Sequence, residues 1–247
     1  MKSFHIRFSA FVLLLGACCA LFSAPLLYRF QKEDQNTSGA FGQALTVVLD
    51  AGHGGEDGGA ISANGRYEKD LNLAVTLLLS DLLKANGVNV RLTRATDTML
   101  YDRDVDYHGR KKALDLAARR KIAEETDGCV FVSIHMNAFP QSQYSGLQVW
   151  YSANHPSSLL LASLVQERTH DLLQPQNNRR IKEATSSIYL LHHLTVPSIL
   201  IECGFLSNPQ EAERLASASY QKELAFTLFL ALTDGIEKLS AEIATGS

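Results

Sequence analysis

The sequence predicts a single α/β domain with a mostly parallel, twisted mixed sheet covered by helices on both faces, placed behind an N-terminal hydrophobic segment. From about Leu45 to Leu239, short apolar runs alternate with longer patterns of helical period, without internal repeats or low-complexity stretches. Several of those runs are continuously apolar rather than alternating, as expected for strands shielded on both sides. Composition agrees: 247 residues, 46% hydrophobic and 20% charged, supply a core and exclude both a disordered tail and a polytopic membrane protein.

In chain order, the first element is 21 uncharged residues from Phe8 to Tyr28, preceded by Lys2 and Arg7 and closed by Arg29. That length spans a hydrocarbon core of about 30 Å, and the leading cations favour a cytoplasmic N-terminus with the rest exported. Residues 1–29 therefore read as a signal peptide or membrane anchor. Leu15-Gly16-Ala17-Cys18 loosely resembles a lipobox, so lipidation at Cys18 is a third fate. A polar linker follows over 30–43, then the main domain over 44–240 and a tail over 241–247. The net charge of −3 conceals this division. The first 29 residues carry three bases and no acid, leaving 20 bases against 26 acids, or −6, for the remainder. A chain so balanced is a poor match for nucleic acid.

Strands are predicted over Leu45–Asp50, Val88–Thr93, Cys129–Ile134, Leu147–Tyr151 and Ile199–Glu202. Helices are predicted over Asp70–Lys84, Lys111–Glu124, Ser157–Leu172 and Tyr220–Lys238. The first helix is apolar almost all round, which predicts a central, buried position, and Asn86-Gly87 supplies its C-terminal stop. The second has Leu114, Ala118 and Ile122 on one stripe, and its bases, Arg119 among them, read as a solvated face. Cys129 and Cys203 lie in apolar runs, where buried thiols are expected, although neighbouring strands could bring them together.

Three apolar runs stop at a chemically capable residue. Val47-Val48-Leu49-Asp50 leads into Ala51-Gly52-His53, Val130 to Ile134 delivers His135, and Ser198 to Ile201 delivers Glu202. In open α/β sheets ligands bind beyond the carboxyl ends of the strands, so such residues can converge. The glycine-rich stretch Gly52 to Gly59 lacks the ending of a phosphate-binding loop and does not fit the dinucleotide fingerprint. Its glycines instead permit a sharp turn beside His53. Glu68 arrives just ahead of the first helix, and with His53 and His135 it makes a His₂Glu set, which binds Zn²⁺ and leaves one coordination position open.

The motifs around these residues decide the reading. They are Leu49-Asp50-Ala51-Gly52-His53-Gly54-Gly55, Glu68-Lys69-Asp70-Leu71-Asn72, Ser133-Ile134-His135-Met136-Asn137-Ala138 and Ile201-Glu202-Cys203-Gly204-Phe205-Leu206-Ser207-Asn208. In this order, from about Leu45 to Leu232, they resemble the zinc-dependent N-acetylmuramoyl-L-alanine amidases of bacteria, most nearly the CwlD-type spore germination branch. The resemblance implies hydrolysis of the amide between N-acetylmuramic acid and the first L-alanine of peptidoglycan stem peptides. It implies zinc ligands at His53, Glu68 and His135 and a catalytic carboxylate at Glu202, with peptidoglycan as the partner and action outside the cytoplasm. For the spore branch it implies the first step toward muramic-δ-lactam. Zinc chemistry supplies a nucleophile at neutral pH, and a carboxylate beside it can pass the proton that an amide leaving group needs.

Asp50 and Asn137 are candidates for orienting the loop or the histidines, with a plain structural role equally weighted. Arg94 is a candidate for holding a substrate carboxylate, against a surface ion pair. His192 and His193 are adjacent, and in extended backbone they face opposite ways. Ala51 stands where many relatives have proline. The segment from Thr96 to Arg110 is longer than a minimal connection and can shape a groove or recruit a protein activator. Three other readings stay open: a general amidase of growth or division, a degenerate wall-binding activator, and another zinc peptidase.

Overall fold

The computed structural model describes residues 45–102 and 109–245; the predicted targeting segment, the linker and Cys18 lie outside them. Strands β1 (Thr46–Ala51), β2 (Asn89–Leu92), β3 (Cys129–Asn137), β4 (Gln148–Tyr151), β5 (Lys182–Glu183) and β6 (Ser198–Phe205) form one sheet in the order β2-β1-β3-β6-β4-β5. Neighbours run parallel except β4 and β6, which are antiparallel, so the sheet is mixed as predicted. The helices among the described residues are α1 (Glu68–Ala85), α2 (Lys111–Glu124), α3 (Ser157–Leu172), α4 (Tyr189–His193), α5 (Pro209–Ala216) and α6 (Ala218–Thr245). None is long and apolar enough to cross a membrane.

Alternation along the strands sorts the core into two layers. Val47, Leu49, Val130, Val132, Ile134, Ile199 and Ile201 pack with residues of α1, α3, α5 and α6. On the opposite face Val48, Phe131 and Leu200 pack with Ala123 of α2 and with Leu190, Leu191 and Leu194 in and just after α4. That second layer is apolar only near the strand starts. Further along the same face the strands carry Asp50, Ser133, His135 and Glu202, and this lengthwise division makes room for a polar site.

Several expectations need correction. α1 is not central: it buries one stripe (Leu71, Val75, Leu79, Leu83) while Asp81 and Lys84 are exposed. Its predicted stop holds, because the N–H groups of Asn86, Gly87 and Val88 fold back onto the carbonyls of Leu83 and Lys84, with Gly87 at φ 79°. α6 continues through Thr245, beyond the predicted end at Lys238. β5 and α4 are too short for periodicity to detect. α5 did leave a sequence signal: the Asn208 side chain accepts from the Gln210 and Glu211 N–H groups, with Pro209 at the first helical position. His192 and His193 are helical, not extended.

Cys129 and Cys203 are free and buried. They sit in different core layers. The register Phe131 to Ser198 also places Cys203 seven residues along β6 from Cys129's partner position, roughly 20 Å at strand rise. A disulfide requires Cα atoms within about 7 Å. Burial pushes the Cys129 thiol up to about 12 and the Cys203 thiol also upward.

Candidate functional site

Strand register determines which side chains meet. Asp50 of β1 lies beside Ser133 of β3, and His135 of β3 lies beside Glu202 of β6. His53 enters from the turn after β1, and Glu68 from the first residue of α1. Nδ1 of His135 lies 2.9 Å from Glu68 Oε1, and Nε2 of His53 lies 3.2 Å from Glu68 Oε2. One potential ligand atom from each of His53, Glu68 and His135 falls within 4.8 Å of the others. The two rings meet edge to face, with centroids 5.0 Å apart.

Glu68 is fixed before any ligand arrives. Its oxygens accept from the Ala60 N–H at 2.8 Å, the Met136 N–H at 3.2 Å and Asn72 Nδ2 at 3.3 Å. Burial opposes its ionisation, but contacts from His135 and His53 prevail and its pKa is lowered. Burial likewise opposes charge on His53, yet Asp57 and Glu68 raise it to about 9. His53 Nδ1 is 2.9 Å from Asp57 Oδ2, an ionic contact rather than an aligned hydrogen bond. Two imidazoles sharing one buried carboxylate attract positive charge, and their mixed nitrogen and oxygen donors suit a zinc-type ion. The backbone makes the space: a Cβ on Gly52 would lie 2.2 Å from His135 Nε2, and one on Gly59 would lie 2.5 Å from Glu68 Oε2.

Glu202 stands one strand from His135. Its Oε2 is buried and has no hydrogen-bond partner among the described residues, and burial raises its pKa to about 7. A carboxyl group left unpaired beside two imidazoles is available for proton transfer. A crevice of about 220 Å³ joins His53, Asp57, Lys112, His135 and Glu202. A second groove, of about 550 Å³, opens on another side of Glu202 and includes Asn137, Phe139 and Trp150. Asn137 therefore lines a groove beside Glu202, and its carbonyl accepts from Leu206 N–H at 2.8 Å.

Two buried arginines shape the turn that carries His53. Arg94 is 3% exposed and donates to the carbonyls of Ala51, Gly52, Lys69 and Thr96, at 2.8 to 3.0 Å. The expectation of a substrate-binding or surface-paired Arg94 is corrected: these donors are spent on backbone oxygens. Arg119, expected on a solvated face, is 1% exposed. The inner stripe of α2 is Asp115, Arg119 and Ala123, one position round from the apolar stripe read in the sequence. Arg119 donates to Asp50 Oδ1 at 2.6 Å, to Asp115 Oδ2 at 2.7 Å, and to the carbonyls of Ala51 and His53 at 2.8 and 2.6 Å. It thereby secures His53 in an unusual backbone conformation for a non-glycine residue, φ 60°. Asp50 also accepts from Thr93 at 2.7 Å and Ser133 at 2.6 Å. Against its burial, Arg119 and those hydroxyls lower the Asp50 pKa below the usual 3.8. An i,i+4 Asp115–Arg119 pair opposite a strand ending in aspartate is the signal that sequence reading missed.

Comparison with known proteins adds four findings. Residues 47–234 match the N-acetylmuramoyl-L-alanine amidase family. The germination-specific N-acetylmuramoyl-L-alanine amidase of Bacillus subtilis is 34% identical over 219 residues, covering 87% of this chain and 90% of that protein. Among solved structures, the CwlD amidase of Clostridioides difficile in complex with the GerS lipoprotein superposes with a TM-score of 0.74 at 38% identity, covering 78% of this chain and 98% of that one. The amidase AmiC2 of Nostoc punctiforme gives 0.65 at 31%, covering 78% and 97%.

Replacing Arg119 by Met leaves the Asp50 and Asp115 carboxylates buried without their cation. Urea unfolding at neutral pH is expected to show a loss of about 3–5 kcal/mol. In the native protein Asp50's contribution is present above its unfolded pKa of about 3.8 and fades as pH falls through its lower folded value. The gap between wild type and Arg119→Met therefore narrows below that pH; a gap that widens there contradicts the clamp.

Proposed function

The chain belongs to the N-acetylmuramoyl-L-alanine amidase family and is a peptidoglycan amidase, and on that premise we propose that its cut depends on one zinc ion held by His53, Glu68 and His135, with Glu202 as the catalytic carboxylate. The observation that carries this reading is the convergence of those three donors within 4.8 Å, one strand from a buried carboxyl oxygen that has no hydrogen-bond partner among the described residues. When bound, zinc polarises the scissile carbonyl and makes water a better nucleophile near neutral pH.

The protein's own residues supply the remaining chemistry. Glu202 Oε2 accepts a proton from the attacking water and delivers it to the departing nitrogen. The water oxygen forms the new bond to the lactyl carbonyl carbon, the C–N bond breaks, and the products are a lactyl carboxylate on the sugar and a free L-alanine amine on the peptide. Two backbone N–H groups keep Glu68 aimed, while Asp57 beside Nδ1 orients the His53 ring. Asp50 acts at one remove, through Arg119 and the His53 carbonyl.

The domain assignment follows: residues 44–240 form the zinc amidase domain, residues 1–29 direct export or membrane attachment, and 30–43 link them. Similarity to the germination-specific relative supports a role in spore cortex maturation, as the first step toward muramic-δ-lactam. The lipoprotein bound by the Clostridioides difficile relative supports a protein activator for this chain as well. A non-catalytic wall-binding role is disfavoured by the intact donor set and Glu202.

Incubation of purified peptidoglycan with the zinc-loaded chain is expected to release peptides with free N-terminal alanine, read by mass spectrometry. Glu202→Gln is expected to keep its zinc and lose roughly 10²–10⁴-fold in rate. Wild-type turnover in that variant overturns the role of Glu202, and absence of peptide release by zinc-loaded wild type supplied with its protein activator overturns the amidase reading. In a deletion strain, cortex lacking muramic-δ-lactam is the expected outcome, whereas normal lactam removes the spore assignment.

A further inference from the structure

The groove beside Glu202 has a charge opposite to that of the chain as a whole. Arg179 and Lys182 line it, and Glu202 is the one acid among the described residues that line it, in a protein of net charge −3. Register places His135, Glu202 and Gln148 in one row across β3, β6 and β4, with Leu200, Trp150 and Lys182 in the adjacent row. Arg179 reaches this surface from the segment before β5. Its Nε donates to Ser145 O at 2.7 Å, its Nη1 donates to Gln148 Oε1 at 3.2 Å, and its guanidinium lies 4.3 Å from the centroid of the Phe205 ring. The remaining nitrogen, Nη2, has no acceptor among the described residues, and neither Arg179 nor Lys182 pairs with a carboxylate there. A planar cation stacked on a ring and held through Nε and Nη1, with Nη2 left to donate, is preorganised to give an oxyanion a charge-assisted hydrogen bond.

Glu202 lines both the crevice at the donor cluster and this groove, so a substrate that spans the two lays one of its arms beside this cation. If Glu202 protonates the departing nitrogen, the peptide attached to that nitrogen leaves the donor cluster past Glu202, where the groove opens. An extended peptide advances about 3.3 Å per residue, and neighbouring strands are about 4.8 Å apart. The residue after alanine therefore comes level with Gln148, whose side chain Arg179 holds. We propose that the groove is a subsite for the peptide part of the substrate and recognises a free carboxylate on the residue following alanine, with Arg179 as anchor and Lys182 adding positive charge along β5. This inference rests on the amidase reading and adds a determinant of specificity to it.

Binding of L-alanyl-D-glutamate and L-alanyl-D-isoglutamine to the full chain, followed by calorimetry or NMR titration, tests the subsite without turnover, because the two dipeptides differ in one carboxylate against one carboxamide. Wild type is expected to prefer the carboxylate about tenfold. Arg179→Gln is expected to erase most of that preference and Arg179→Lys to restore part of it. Lys182→Gln, at an exposed position, is expected to reduce it. Equal affinities in wild type, no binding of either dipeptide, or a preference that survives both Gln substitutions overturns the subsite. Binding of a muramoyl sugar in the groove in place of peptide also overturns it. Peptidoglycan digested in parallel by wild type supplied with its activator separates the two ideas: release of peptide with no carboxylate preference sinks the subsite alone, while no release sinks the amidase reading beneath it.

Discussion

Asp50 is a carboxylate with no exposure to solvent, placed at the end of a strand inside a parallel sheet, and it survives there because Arg119 comes down from α2 to meet it. An unpaired charge in that position would cost several kcal/mol. The guanidinium has more donors than Asp50 can use, and the surplus binds the carbonyls of Ala51 and His53. Neutralising a buried charge and shaping the turn at His53 are therefore one interaction. Arg94 completes the clamp from the β2 side by holding the carbonyls of Ala51 and Gly52. The backbone between β1 and Gly54 is thus gripped by two cations, and the His53 ring is delivered to Glu68 from a left-handed backbone conformation that an unsupported chain rarely adopts.

The same division of labour extends across the sheet. One end of a single face is apolar and packs α2 and α4; the other end carries Asp50, Ser133, His135 and Glu202 in lateral register. Rigid strands fix the spacing between Glu202 and His135, leaving the loops to bring His53 and α1 to bring Glu68. Continued onto β4 and β5, the His135–Glu202 row reaches Gln148 and the adjacent Ser133–Leu200 row reaches Trp150 and Lys182, so the donor cluster and the cationic groove share one ruled surface. Sites built on regular elements hold their geometry better than sites built on loops alone.

How much of this was legible in the sequence follows physical lines. β1, β3 and β6 were readable because each is a continuous apolar run ending in a polar residue, and that same ending identified Asp50, His135 and Glu202. Glu68 was readable as a candidate from its place just ahead of a helix, and its motif settled the choice, since its role depends on a three-dimensional return of α1 to the strand ends. Arg119 was misread because charge on a helix is usually solvated, and only the tertiary position of Asp50 shows what it balances. Arg94 was placed at the right strand end but assigned the wrong partner: four backbone carbonyls are invisible to residue-type reasoning. Arg179 left no signal, because it comes from irregular chain between α3 and β5 and reaches the groove through Gln148 and Phe205.

The central claim is that two imidazoles and one carboxylate, drawn from three separate segments, form a single zinc site. X-ray absorption at the zinc edge on the full chain loaded with one equivalent of zinc addresses this most directly. The account predicts a first shell of nitrogen and oxygen at about 2.0–2.2 Å, with outer-shell scattering from two imidazole rings. A sulfur shell at about 2.3 Å, or zinc surrounded by oxygen with no imidazole signature, would contradict it.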